Sequence, residues 1–249
     1  MTKLDPKSRQ GQVAPPGLTL EEIANSVLPL PDRDSLNEKE RASFDYIMKR
    51  SKNWFQSTPE NADKEYRMSP LYIGFLQSPE VSELWIRLTD YLGTAESRGS
   101  FTARERDWIR LAVAALQKTV IQGLQIADAV ASGIDPNDIK ALLDGRIEDL
   151  APADRQLVEY IDATMHGRLT RELYEPLEAR MGTKGAMEYT SMILFMASVR
   201  RLIEAYWAIQ GYVLPDRSTD HDVLQAIIDG TAPVHGYDRL KDVVNKTNG

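Results

Sequence analysis

Three polar side chains stand out in the stretch QKTVIQGLQIADAVASGI, residues 117–134: Lys118, Gln122 and Gln125. They recur at i, i+4 and i+7, the spacing that puts side chains on one face of an α-helix. The residues around them (Val120, Ile121, Leu124, Ile126) are apolar, as is nearly all of the preceding DWIRLAVAALQ, so the polar face either meets water or lines a pocket. In a pocket, Lys118 is a cation for a substrate carboxylate, or a general acid if burial lowers its pKa. At a helix end, its stem packs and its ammonium reaches solvent. Gln122 and Gln125 exchange no proton near neutral pH, so hydrogen bonds are their only chemistry. They are amide donors to a carbonyl or carboxylate oxygen, or plain surface and subunit contacts.

Further along, Arg200, Arg201 and Glu204 interrupt an otherwise apolar segment. Arg200 and Glu204 stand at i, i+4, which predicts an ion pair; a buried arginine is alternatively a bidentate grip for an acidic substrate. Tyr72, Trp85, Tyr189, Tyr206 and Trp207 are core aromatics by spacing, with Tyr72 and Tyr206 the candidates for a hydroxyl donor and Trp85 for a pocket wall. His166, in TMHGRLT, reads as a solvated loop histidine, and His221 and His235 lie in the tail.

Most other routes to chemistry are closed. The 249 residues contain no cysteine, which removes disulfides, thiolate nucleophiles and Cys-ligated metals. The three histidines form no HExxH or HxH pattern, and neither GxGxxG, Walker nor GxSxG motifs occur, so no cofactor and no metal is expected. The net charge of −7, with Lys and Arg scattered, argues against nucleic acid or an anionic membrane as partner. No apolar run approaches the ~20 residues of a membrane span. The start, MTKLDPKSRQGQVAPPG, lacks the apolar core of a secretory signal and reads as a flexible arm, so a cytoplasmic protein is expected.

The elements that must position these residues are helices throughout. LTLEEIANSVL (18–28) opens on Thr19 and is stopped by Pro29 and Pro31. Residues 35–55 carry Leu36, Phe44, Ile47 and Met48 on one face. Residues 69–95 hold a short helix and then a second, begun by Ser78-Pro79-Glu80. Thr102 stands three residues before Glu105, a capping box. DPNDIKALLDG is bounded by Asp135 and Gly145, followed by APADRQLVEYIDATMHG and TRELYEPLEARMG. The segment 185–213 is apolar around most of its surface and should be central. A weak helix, DHDVLQAIIDG, sits in the tail, and no alternating strand pattern occurs.

Taken in order over residues 35–215, these pieces resemble the carboxymuconolactone decarboxylase family, which shares its all-helical fold with the alkylhydroperoxidase AhpD. TARERDWIRLAVAAL resembles the first core helix of that family, and LQIADAVASGIDPNDIKALLDG the helix that carries its reactive histidine. The resemblance implies an all-α bundle of residues 35–215, with an N-terminal arm (1–34, with a short helix) and a C-terminal tail (216–249). It also implies a homo-oligomer, trimer or hexamer. AhpD-type members carry CxxC with a histidine four residues after the second cysteine and a glycine eight beyond. Counted back from Gly133, those positions are Lys118, Ile121 and Gln125. The decarboxylase-type glutamate would fall at Ile121. Thiol peroxidase activity is thereby excluded.

The expectation is a cofactor-independent, decarboxylase-like lyase on a small carboxylated lactone or keto acid from aromatic breakdown. In it Lys118, Gln125 and Tyr206 are catalytic, and Gln122, Tyr72, Arg200 and Trp85 bind substrate. An isomerase or hydrolase on a related lactone, and a non-catalytic binding or scaffold protein, are the alternatives.

Overall fold

A computed structural model describes residues 12–119, 123–214, 219–234, 236 and 239–249. Eleven α-helices run through them: α1 (Leu20–Ala24), α2 (Glu38–Phe55), α3 (Pro70–Phe75), α4 (Pro79–Gly93), α5 (Ala103–Leu116), α6 (Gly123–Ala131), α7 (Pro136–Asp144), α8 (Pro152–Met165), α9 (Arg171–Ile209), α10 (Thr219–Ile228) and α11 (Arg239–Asn248). Among the described residues there are two single β-bridges and no strand. None of their helices is long and apolar enough to cross a membrane.

The helix starts follow local chemistry. Thr19 and Thr102 each close a capping box, with Glu22 and Glu105 three residues on. Each such cap contributes on the order of 1 kcal/mol. Asp135 caps α7 and Gly145 ends it in the left-handed conformation, φ +75°. α9 is made of two helical segments that meet at Gly182, whose φ +71°, ψ 166° breaks the helical path where the sequence separates two segments. The sequence places the last helix over 185–213; α9 stops at Ile209.

The chain divides into two units, Met1–Tyr91 with Arg201–Pro215 and Asp238–Gly249, and Leu92–Arg200 with Asp216–Tyr237. In the first, Leu18, Ile23, Phe44, Ile47, Met68, Ile73, Leu76 and Trp207 form the core. α11 packs on α2 there through buried Leu240 and Val243, with Asn53 donating to Thr247 at 3.1 Å. In the second, α5 is the central element: every residue from Glu105 to Ala114 is buried. It is covered by α6, α7 and α8, while α10 lies on α6 and α7.

Candidate functional site

The junction between α5 and α6 sets the geometry around the candidate residues. α5 ends in a Schellman motif: the Lys118 amide donates to the Ala115 carbonyl (3.1 Å) and the Thr119 amide to that of Ala114 (3.0 Å). The motif needs a left-handed residue, and Lys118 supplies it at φ +54°, alone among the described non-glycine residues. A lysine there is strained by about 1 kcal/mol relative to glycine.

This corrects the sequence reading of residues 117–134. Lys118 is not on the helix that carries Gln125; it lies at the end of α5 and is exposed, and α6 begins only at Gly123. Counting 100° per residue fails across a left-handed position, so the shared face of Lys118 and Gln125 does not exist. Gln122 lies outside the described residues.

Gln125 is 8% exposed, and its Oε1 accepts a hydrogen bond from Nη2 of Arg200, itself 3% exposed. The same Nη2 donates to the Arg110 carbonyl on α5 at 3.3 Å. One turn after Gln125, Asp128 accepts from Arg110 at 2.7 Å. Arg110 also reaches Asp107 (3.1 Å), and Asp107 is held from its other side by Arg106 through Oδ1 (3.1 Å) and Oδ2 (2.9 Å). Asp107, Asp128 and Arg106 are each 1% exposed or less. The result is a continuous buried network from α5 through α6 to α9. Buried charges persist only when hydrogen-bonded in this way.

One consequence is chemical. A guanidinium has donors and no acceptor, so its contact fixes the orientation of the Gln125 amide: oxygen toward Arg200, with the two N–H donors left for another acceptor. The sequence reading missed Arg106, Asp107, Arg110 and Asp128. Their signal was available: α5 carries charges among apolar residues with no consistently polar face, which forces some of them inward.

The expected Arg200–Glu204 pair is also corrected. Glu204 accepts from exposed Arg201 at 2.8 Å, and Arg200 points inward to Gln125. On the helix, position 200 shares the buried side with Ile193 and Met192, whereas 201 follows exposed Leu194 and Ser198.

Tyr72, Trp85 and Tyr206 belong to the first unit, and Lys118, Gln125 and Arg200 to the second. Tyr72 is buried, and its hydroxyl accepts from Arg50 at 3.4 Å; Arg50 is paired with Asp90 at 2.7 Å. Trp85 packs half-buried against the core. Tyr206 lays its ring on the bare backbone of Gly74, where a Cβ would lie 1.9 Å from its Cε2. Desolvation raises the Tyr206 pKa above its ordinary 10.0. His166 caps the end of α8 and is exposed, with Nδ1 at 3.0 Å from Asp162 Oδ1. His221 on α10 lies 3.2 Å from Asp144 of α7, and His235 is outside the described residues.

No family model matches the chain, and neither does any curated protein. Among solved structures, the chain is similar to an alkylhydroperoxidase AhpD core, an uncharacterised peroxidase-related protein from Ralstonia eutropha JMP134. The TM-score is 0.51 and the identity 14%, over 72% of this chain and 89% of that one. The fold is AhpD-like. At this identity the likeness is one of fold alone.

Proposed function

We propose that this AhpD-like chain acts on a small organic acid at the α5–α6–α9 seam of its second unit, as a cofactor-independent, decarboxylase-like lyase on a carboxylated lactone or keto acid. The observation that carries the reading is the buried Arg200–Gln125 pair, at the position where the resembled family keeps its reactive histidine. Arg200 supplies fixed positive charge for a carboxylate, and the Gln125 amide N–H groups supply donors for an oxygen that gains charge. Decarboxylation needs little more: the bond to the carboxylate breaks, carbon dioxide leaves, and the electron pair is held as a dienolate until its carbon is protonated. Lys118, exposed at the end of α5, is the cation that steers the acid or supplies that proton.

A second reading is a binding protein without turnover. It is favoured by the buried ion pairs beside Gln125, where Asp107 and Asp128 are both engaged by arginines.

The test is incubation of the protein with γ-carboxymuconolactone and related unsaturated lactones and keto acids, following ultraviolet absorbance and carbon dioxide together. Absorbance change with gas supports the lyase. Change without gas indicates an isomerase or hydrolase. A thermal shift with neither supports the binder.

A further inference from the structure

α6 is pinned at two points on one face, each from a different helix. Gln125 is held by Arg200 of α9, and Asp128, three residues on, accepts from Nη1 of Arg110 on α5 at 2.7 Å. Positions i and i+3 lie about 60° apart around a helix, so both side chains leave α6 on the same side. Arg110 joins the two pins. Its guanidinium holds Asp128, and its carbonyl accepts at 3.3 Å from the same Arg200 Nη2 that holds Gln125.

The rest of α6 does little to set its rotation. Gln125 to Ala129 are all buried, but Ala127 and Ala129 present only a methyl group to their neighbours. Gln125 is also the third residue of α6, in the first turn, where the backbone amides have no partner within the helix. A lone contact at Gln125 leaves the helix free to turn about its axis. A second contact on the same face, one turn on, removes that freedom. The movement at stake is large on a chemical scale. A side-chain tip lies about 6 Å from the helix axis, so a turn of about 10° carries it about 1 Å. A misplacement of about 1 Å costs up to about 10²-fold in rate.

We propose that, on the lyase reading of the Arg200–Gln125 pair on which this rests, Asp128 is a positioning residue: its ion pair with Arg110 sets the rotation of α6 and so aims the Gln125 amide donors at the substrate. Asp128 is fully buried against Arg110 and acts through Gln125, not on the substrate itself.

The test is a double-variant cycle in the full chain with γ-carboxymuconolactone, placing Asp128→Asn in the wild type and in Gln125→Ala. Asn keeps an acceptor for Arg110 but loses the charge, so the chain folds with a looser pin. In the wild type the substitution should lower kcat about 10-fold and change KM by less than about twofold. In Gln125→Ala it should change kcat by less than about twofold, because the group it positions is gone. Equal losses in the two backgrounds overturn the proposal, since Asp128 then acts on stability or on the substrate directly. A readout that needs no turnover is the pair of Gln125 side-chain amide signals in the NMR spectrum of the isotope-labelled chain, identified by their absence from Gln125→Ala. Asp128→Asn should shift or broaden this pair while the backbone signals of α8 stay in place. A pair left unchanged overturns the proposal. If the wild type does not turn over the lactone, the lyase reading fails on its own account, and a displaced Gln125 pair still supports the positioning by Asp128.

Discussion

Lys118 and Asp128 show how differently two polar residues near one site are held. Lys118 is exposed and strained: its left-handed backbone satisfies the last carbonyls of α5 without the glycine that such a position favours. Lys118→Gly should therefore stabilise the chain by about 0.5–1 kcal/mol, measured by denaturant midpoint at constant slope. Asp128 is fully buried against Arg110. Removing it strands part of a buried charge, so Asp128→Ala should cost about 3 kcal/mol, with Asp128→Asn milder because it keeps an acceptor. Equal effects of the two substitutions would show that packing, not the ion pair, dominates there. What could be read from the residues alone was which polar groups occupy the reactive stretch. Which of them are buried depends on partners 75 residues away, as in the Gln125–Arg200 contact, and no local spacing encodes that.

At the level of elements, signals spanning one turn were legible and those spanning a reversal were not. Thr102 with Glu105 started α5, and Asp135 with Gly145 bounded α7, because capping depends on residues two to four apart. The break after Leu116 was hidden, since a lysine stands where a glycine would have announced it. The short α3 shows the same dependence on context: its Gly74 has little helix propensity to offer, yet only a residue without Cβ admits the Tyr206 ring. Gly74→Ala should destabilise by about 1–3 kcal/mol, and the penalty should shrink when Tyr206→Leu is added. A penalty independent of Tyr206 would contradict the packing role. The C-terminal end of α7 has a pH signature. Lys140 and then Arg146 hydrogen-bond Asp144, and these, with the charge of His221, lower its pKa from 3.8 to about 2. A depressed carboxylate pKa contributes stability above the unfolded value that is lost as pH falls through the folded one. The loss thus lies between about pH 4 and pH 2, and Asp144→Asn should make the fall of the melting temperature across that window slightly shallower.

For the whole molecule, the all-helical class and the AhpD-like fold were legible because the ordering of helices survives where individual residues do not: the fold match stands at 14% identity. The chain has no cysteine, so thiol chemistry of the kind found in the resembled family has no counterpart in it. The proposed site therefore works through an amide and a guanidinium rather than through a proton-exchanging pair. The most direct test is the rate of carbon dioxide release from γ-carboxymuconolactone by the wild type and by Gln125→Ala, each confirmed folded by its melting curve. Loss of one donor to the developing oxyanion predicts a fall in kcat of about 10²-fold or more with a smaller change in KM. Turnover by the wild type that Gln125→Ala leaves unchanged in kcat would contradict the assignment of the reaction to the Arg200–Gln125 pair.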